Sequence, residues 1–180
     1  MKVVRAWDDG PTTFLHTLLP GDDGSPARVG TEFLLAGEDQ TIVKRWAVHS
    51  EWRGPNPSGR TQIDGPTEVA DLEHTEANKA LVRKMLEDCL FPGARATRIE
   101  DYFADDYRQH NPNVPDGLAI VRELAQSGTR DLVYQELVLL VGKGNFVATL
   151  CKVDNGGEVF DQVDILRIEG GRIVEHWDNY

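Results

Sequence analysis

From Asp131 to the end of the chain the apolar residues recur with the two-residue period of β-strands, and this constrains the fold more than any other stretch. Four segments carry the pattern: Leu132 to Val141, Asn145 to Val153, Val159 to Ile168 and Arg172 to Asp178. They are rich in Val, Leu and Ile, which suit a pleated surface. Gly142-Lys-Gly144, Asp154-Asn-Gly-Gly157 and Gly170-Gly171 separate them. Glycine reaches the positive φ that tight hairpins need, so neighbouring strands are predicted to run antiparallel.

Ahead of this meander the period is helical. A first helix is predicted from Thr75, which can cap it, through Leu81, Val82, Met85, Leu86, Cys89 and Leu90, until Pro92-Gly93 stops it. Thr97-Arg-Ile-Glu100 reads as a capping box opening a second, short helix with Ile99, Tyr102 and Phe103 on its apolar side. A third follows Pro115-Asp116, carries Leu118, Val121, Leu124 and Ala125 on one stripe, and breaks at Ser127-Gly128. Helices followed by a four-stranded meander form an α+β pattern.

The first part of the chain shows strands and no helix: Val3 to Trp7, Thr12 to Leu19, Thr31 to Leu35 and Ile42 to Ser50. Ile42-Val-Lys-Arg-Trp46 mirrors Ile173-Val-Glu-His-Trp177, and Glu32-Phe-Leu-Leu35 mirrors Asp164-Ile-Leu-Arg167, with one extra residue between. Residues 1–52 therefore read as the sheet half of a second copy whose helical half is missing. Glu32 would stand for Asp164, Arg45 for His176 and Ala47 for Asp178, so this half is expected to be architectural, offering sheet surface for dimerisation or strand exchange. A Pro- and Gly-rich stretch makes 53–66 a linker, and 67–180 the main domain.

Composition narrows the function. At 180 residues, 40% apolar and 27% charged, the chain suits one soluble domain with one pocket. A net charge of -11 without a basic patch speaks against nucleic acid and anionic lipid as partners. No run is long and apolar enough to span a membrane, and Met1 to Gly10 lacks the apolar centre of a signal peptide, so a cytoplasmic location is expected. Cys89 and Cys151 lie in apolar segments and read as buried free thiols. The five histidines show no spacing suited to zinc, and no metal or cofactor is expected.

Two separated motifs, Tyr107-Arg-Gln-His110-Asn-Pro112 and the stretch from Asp164 through Gly170-Gly-Arg-Ile-Val-Glu-His176-Trp-Asp178, resemble those of SnoaL-like proteins of the nuclear-transport-factor-2-like superfamily, predicted to catalyse aldol condensations in polyketide cyclisation. The resemblance covers about 110 residues from Glu76 onward. It implies a cone of three helices on a strongly curved antiparallel sheet, an α+β barrel, with a pocket between the layers and usually a homodimer. One such cone serves cyclases, ketosteroid isomerase, epoxide hydrolases and non-catalytic binding modules, so the reaction does not follow from the fold.

Asp164 stands out because it interrupts an apolar strand. A buried carboxylate needs a reason, and desolvation would bring it toward neutral pH as an acid/base group. The resemblance gives this strand position to the acid/base aspartate of the cyclases. Its bland alternative is an ion pair with Arg108 or Arg167. His110, before the turn Asn111-Pro112, and His176, in the last strand, are the other catalytic candidates, since histidine exchanges protons near neutrality. Alternation places Val174, His176 and Asp178 on one face of that strand and Ile173, Glu175 and Trp177 on the other, without saying which face meets the pocket. Tyr107, Asn111, Tyr134 and Trp177 are candidate pocket residues. Tyr107 and Tyr134 would donate hydroxyls to a carbonyl, Asn111 could instead tie the chain, and Trp177 could be core or lid. Glu136 shares a face with Tyr134. The expectation is a cofactor-independent enzyme closing a small hydrophobic carbonyl compound by aldol condensation. Epoxide opening, ketosteroid-isomerase-like proton transfer and a non-catalytic ligand-binding or dimerisation module are the alternatives.

Overall fold

The structure, a computed structural model, describes residues 1–22, 24–94, 96–126 and 132–180. The described strands form two open sheets. The first contains β1 (Lys2–Asp9), β2 (Thr12–Leu19), β3 (Arg28–Ala36) and β4 (Ile42–Glu51), antiparallel throughout in the order β1-β2-β3-β4. The second has the order β5-β9-β8-β7-β6, built from β5 (Phe103–Gln109), β6 (Leu132–Lys143), β7 (Phe146–Asn155), β8 (Glu158–Glu169) and β9 (Arg172–Asn179). The last four strands are the predicted antiparallel meander. The class is α+β, as expected from the segment order, but the sheets do not close into a barrel.

Glycine sets one of the hairpins by necessity. Gly144 has φ 58°, and a Cβ there would stand 1.8 Å from the carbonyl oxygen of Ala70, so both the turn and the chain crossing it require a missing side chain.

The helices differ from the sequence expectation in instructive ways. Helix α1 spans Thr75–Met85 and continues as one π-helical turn, Leu86–Leu90. Thr75 does not cap it: its hydroxyl donates to the Leu72 carbonyl and accepts the Gly144 N–H, each at 2.8 Å, tying the helix start to the β6–β7 hairpin. The predicted second helix is only a 3-10 segment, Ala96–Asp101, after which the chain enters β5. The reason is the free edge of β9. Ile173 N–H donates to Tyr102 and His110 N–H to His176, at 2.8 and 2.9 Å, so backbone pairing overrides a weak helical signal. β5 also runs parallel to β9, which makes the sheet mixed. Of the capping box, the Thr97 side chain lies outside the described residues. Helix α2 covers Leu118–Gln126 with Leu118 buried. The side chains of Leu124 and Ala125, the break at Ser127-Gly128 and the strand start at Asp131 lie outside the described residues.

The second sheet is buried on both faces. On the front, Val82, Met85, Leu86 and Cys89 of the first helix pack with Phe103, Tyr107, Val147 and Leu166. On the back, Trp7, Phe14 and Phe33 of the first sheet pack with Phe146, Leu150, Ile165 and Trp177. The chain's own first sheet thus covers the face opposite the helices. Residues 53–66 are no loose spacer: the Asn56 amide donates to the carbonyls of Gln109 (2.7 Å) and Val114 (2.9 Å), and Arg60 pairs with Asp116 at 2.8 Å. No described helix is long and apolar enough to cross a membrane.

Phe146 sits at the centre of the back core, fully buried, with ring centroids 5.7 Å from Trp7 and 6.2 Å from Trp177. Phe146→Ala should cost about 3–5 kcal/mol through lost burial and a residual cavity. Urea unfolding checks this: the midpoint is expected to fall with the slope unchanged.

Candidate functional site

Strand β9 decides which side chains meet the pocket. Its period of two, read in a sheet covered on both faces, sends His176 forward, under the helices, with Asp178 on the same strand face, and Glu175 and Trp177 backward, against the first sheet. Its pairing with β8 sets Asp164 opposite Asp178 and Leu166 opposite His176.

On the front lies a cavity of about 160 Å³. For scale, an engineered apolar cavity of about 150 Å³ accepts benzene. Its walls are apolar, from Met85, Leu86, Leu90, Ile99, Phe103, Val121 and Leu166. Among the described residues its polar lining consists of Tyr107, Gln109, Tyr134, Asp164 and His176, with no lysine or arginine.

Asp164 is the centre of that polar end, 4% exposed. Its Oδ1 lies 2.9 Å from His176 Nε2 and accepts from the Gln162 amide at 3.0 Å, and the Tyr134 hydroxyl lies 3.3 and 3.2 Å from its two oxygens. The Gln162 amide also donates to the Tyr134 oxygen at 2.5 Å. Burial pushes the Tyr134 and Tyr107 hydroxyls well above their ordinary range, helped by the charges of Asp164 and Asp178, so both remain O–H donors. Burial alone would lower the pKa of His176. The Asp164 hydrogen bond and charge, with the charge of Asp178, outweigh burial and raise it above the ordinary 6.5. Asp178 is itself raised, chiefly by burial against the pull of His176 and Asn111.

Of the sequence candidates, the structure brings together Asp164, His176, Tyr107 and Tyr134. It sends His110 and Trp177 to the other side of the sheet. His110 is fully buried there, with Nε2 2.9 Å from Glu175 and Nδ1 2.7 Å from the Thr61 carbonyl and 2.8 Å from Asp64, its ring stacked on Trp177 at 4.4 Å. It touches no part of the cavity, because β5 carries Gln109 to the front and its successor to the back. Trp177 is core: its indole N–H donates to Asp64 O at 3.0 Å, and the Arg5 guanidinium lies 4.0 Å over its ring. Asn111 stands behind the site and donates to Asp178 at 2.7 Å. Arg167 pairs with Glu175 rather than Asp164.

Gln109 and Gln162 were absent from the sequence candidates. Gln162 was findable, two residues before Asp164 on one strand face. Gln109 was not, because its strand was read as a helix end. Among the described residues one group has the spacing of metal ligands, Asp71, Glu73 and His74, all exposed and outside the cavity lining.

The back face holds a second buried polar cluster. Glu175, fully buried, accepts from Arg167 at 2.8 Å as well as facing His110. Burial would push its carboxyl up, but the hydrogen bonds from His110 and Arg167 hold it below 4.5. Arg5 donates to the Pro66 and Asp64 carbonyls at 2.9 and 2.6 Å, and burial lowers it to about 10. His16, beside it at 3.1 Å, is pushed down to about 3 by burial and the Arg5 charge and stays neutral.

These directions fix the pH dependence of stability. Glu175, lowered, stabilises fully above about 4.5 and loses that contribution as pH falls through its folded value. His176, raised, stabilises fully below 6.5 and loses that contribution as pH rises through its folded value. Urea midpoints across a pH series should therefore decline on both sides, and His176→Gln should flatten the alkaline side. Glu175→Gln takes the buried carboxylate from Arg167, leaving it only the exposed Glu169, and removes the nearby charge that favours buried Arg5; it should cost about 3–5 kcal/mol at neutral pH.

Comparison with known proteins agrees with this architecture. The fold resembles a candidate ketosteroid isomerase of Kribbella flavida, with 21% identity over 58% of this chain and 78% of that one, at a TM-score of 0.50. IdmH of Streptomyces antibioticus, a candidate polyketide cyclase, matches at 20% identity over 56% of this chain and 89% of its own, at 0.41. TsrD of Streptomyces laurentii matches at 25% identity over 56% and 87%, at 0.42. No curated protein matches. The profile of the SnoaL-like domain matches residues 82–176, just over half of the sequence and including Asp164 and His176, and the chain belongs to that family.

Proposed function

We propose that the chain is a cofactor-independent acid/base enzyme acting on a small, neutral, largely apolar carbonyl compound, with intramolecular aldol condensation of the polyketide-cyclase type as the leading reaction. One observation carries this reading: a buried carboxylate, Asp164, hydrogen-bonded to His176 at the polar end of an otherwise apolar cavity. Such a pair can take a proton from a carbon beside a carbonyl and return one to the oxygen, while the hydroxyls of Tyr134 and Tyr107 can donate to that oxygen as charge develops on it. Among the described residues the lining has a carboxylate and no lysine or arginine, and its one titratable cation, His176, is already paired with Asp164, which favours a neutral ligand over a carboxylate or phosphate. Its volume favours one ring over a fused system.

The first sheet is, in this proposal, a partial second copy of the sheet half. Two features support it. The register Glu32↔Ala47, Phe33↔Trp46 and Leu34↔Arg45 sets the mirrored residues opposite one another as Asp164↔Asp178, Ile165↔Trp177 and Leu166↔His176 do, each separation being longer by the one extra residue. The Arg45–Glu32 pair, 2.7 Å, occupies the place of His176–Asp164. Residues 1–52, 53–66 and 67–180 are then partial copy, strap and main unit. Because the partial copy covers the back of the second sheet in cis, a homodimer would have to use another surface.

Deuterium exchange tests the reaction class without knowledge of the substrate. Cyclohexanone, cyclohexenone and cyclic 1,3-diketones in D2O should exchange their α-protons faster with the protein than without it, as read by NMR. Asp164→Asn should reduce the acceleration about 10²–10⁴-fold, whereas His110→Gln, compared per folded molecule, should keep it. Diol formation from a small cyclic epoxide without any exchange would assign epoxide opening instead. Ligand binding with neither reaction would leave a binding module.

A further inference from the structure

Both ring nitrogens of His176 face acceptors. Nε2 lies 2.9 Å from Oδ1 of Asp164, and Nδ1 lies 3.1 Å from Oε1 of Gln109. That the Gln109 atom is oxygen does not depend on the imidazole, because it also accepts the backbone N–H groups of His110 at 2.9 Å and Asn111 at 3.0 Å. Turning the amide over would set its NH2 against two buried donors; the His110 N–H would keep the His176 carbonyl, but the Asn111 N–H would be left unpaired at about 1–3 kcal/mol. The backbone is equally fixed: Gln109 N–H donates to Asp116 at 2.9 Å, and its carbonyl accepts from Asn56 at 2.7 Å.

A neutral imidazole has one N–H and one lone pair. With the proton on Nδ1, the lone pair of Nε2 faces a carboxylate; with the proton on Nε2, the lone pair of Nδ1 faces an amide oxygen. Two arrangements satisfy both contacts. In one the ring is an imidazolium beside a carboxylate, and in the other an Nδ1–H ring accepts from a protonated Asp164. Each holds one proton more than a neutral ring beside a carboxylate.

We infer that Gln109 is a positioning residue that keeps a shared proton on the Asp164–His176 pair, so that the site meets its ligand with a proton to give. Its part in turnover rests on the acid/base reading above; its physical content does not. In an aldol closure the pair would deliver this proton to the acceptor oxygen as the carbon–carbon bond forms and regain one from the enolising carbon, with no net proton consumed.

The surroundings of His176 favour that state. Asp164 faces it from β8 and Asp178 adjoins it on its own strand. Tyr107 of β5 stacks near it at 6.4 Å, and Tyr134 of β6 reaches it through Asp164, both as neutral hydroxyls. The helical wall of the cavity there, Met85 and Leu86, is apolar.

Long-range 1H–15N spectra of the histidine rings decide the matter, with His176→Gln assigning the signal. Wild-type protein above the ordinary histidine midpoint should show a protonated Nδ1 and an Nε2 that is protonated or strongly hydrogen-bonded. Gln109→Met should lower the titration midpoint of His176 and favour the Nε2–H tautomer once the ring is neutral, whereas Gln109→Glu, which restores the acceptor, should retain Nδ1–H. A bare Nδ1 in the wild type, or a Gln109→Met spectrum and midpoint equal to the wild type, overturns the inference. Should Gln109→Met not fold, the wild-type spectrum decides alone. A protonated pair in a protein that exchanges no carbonyl α-proton would sink the proposed function and leave this inference standing.

Discussion

Everything at the site depends on one strand being covered on both sides. From Glu175 onward β9 alternates, and each of its two faces meets a different layer, so neighbouring residues have unrelated jobs. A slip by one residue would drive Glu175 into the apolar cavity and His176 into the sandwich, reversing every assignment. The register is pinned from the back. The Asn179 amide donates to Val48 O at 2.7 Å and Thr31 Oγ1 at 3.1 Å, Trp177 is tied to Asp64, and Glu175 is enclosed by His110 and Arg167. Each anchor is polar and directional, which a flat apolar interface would not supply.

The buried charges on the back are therefore better understood as specification than as net stabilisation. Taking a carboxylate and two guanidinium groups out of water is costly, and their mutual attraction offsets that only when each is hydrogen-bonded. Here each is, and Gly65 shows how tightly they are enclosed: with φ 86°, a Cβ on it would stand 2.9 Å from both Glu175 and Trp177. This cluster also reaches the front through the chain itself. His110 and Gln109 are consecutive, one locked against Glu175 and the other against His176. The docking of the first sheet and its strap thus holds the end of β5 where the pocket needs it.

The sequence made the meander legible because alternation and glycine turns are local signals, and it made Asp164 legible because a carboxylate in an apolar strand has few bland explanations. It could not reveal β5. Phe103 and Tyr107 are four apart, a helical spacing, and only the free edge of β9, a long-range partner, turns that segment into a strand. One missed strand misplaced His110, hid Gln109, and left the choice of pocket face open. The same long-range blindness applies to 53–66, whose Pro and Gly read as a spacer although Asn56 and Gln62 are buried.

The first sheet shows what acid/base chemistry needs beyond a pair of residues. Glu32 and Arg45 stand in the register of Asp164 and His176 and make the same diagonal contact, yet the Arg45 side chain is 53% exposed and no helix covers it. Arginine cannot give up its proton near neutrality, and an exposed pair is screened by water and salt. The Asp164–His176 pair differs in two respects that act together. Its cation is an imidazole, which can lose a proton, and the helices bury it to 13% exposure beside a carboxylate at 6%, where each hydrogen bond weighs more. Under the proposed function, the contrast between the two sheets separates scaffold from site: the strand pairing alone brings an acid and a base together, and the helical cover with a titratable partner is what would let that meeting move a proton.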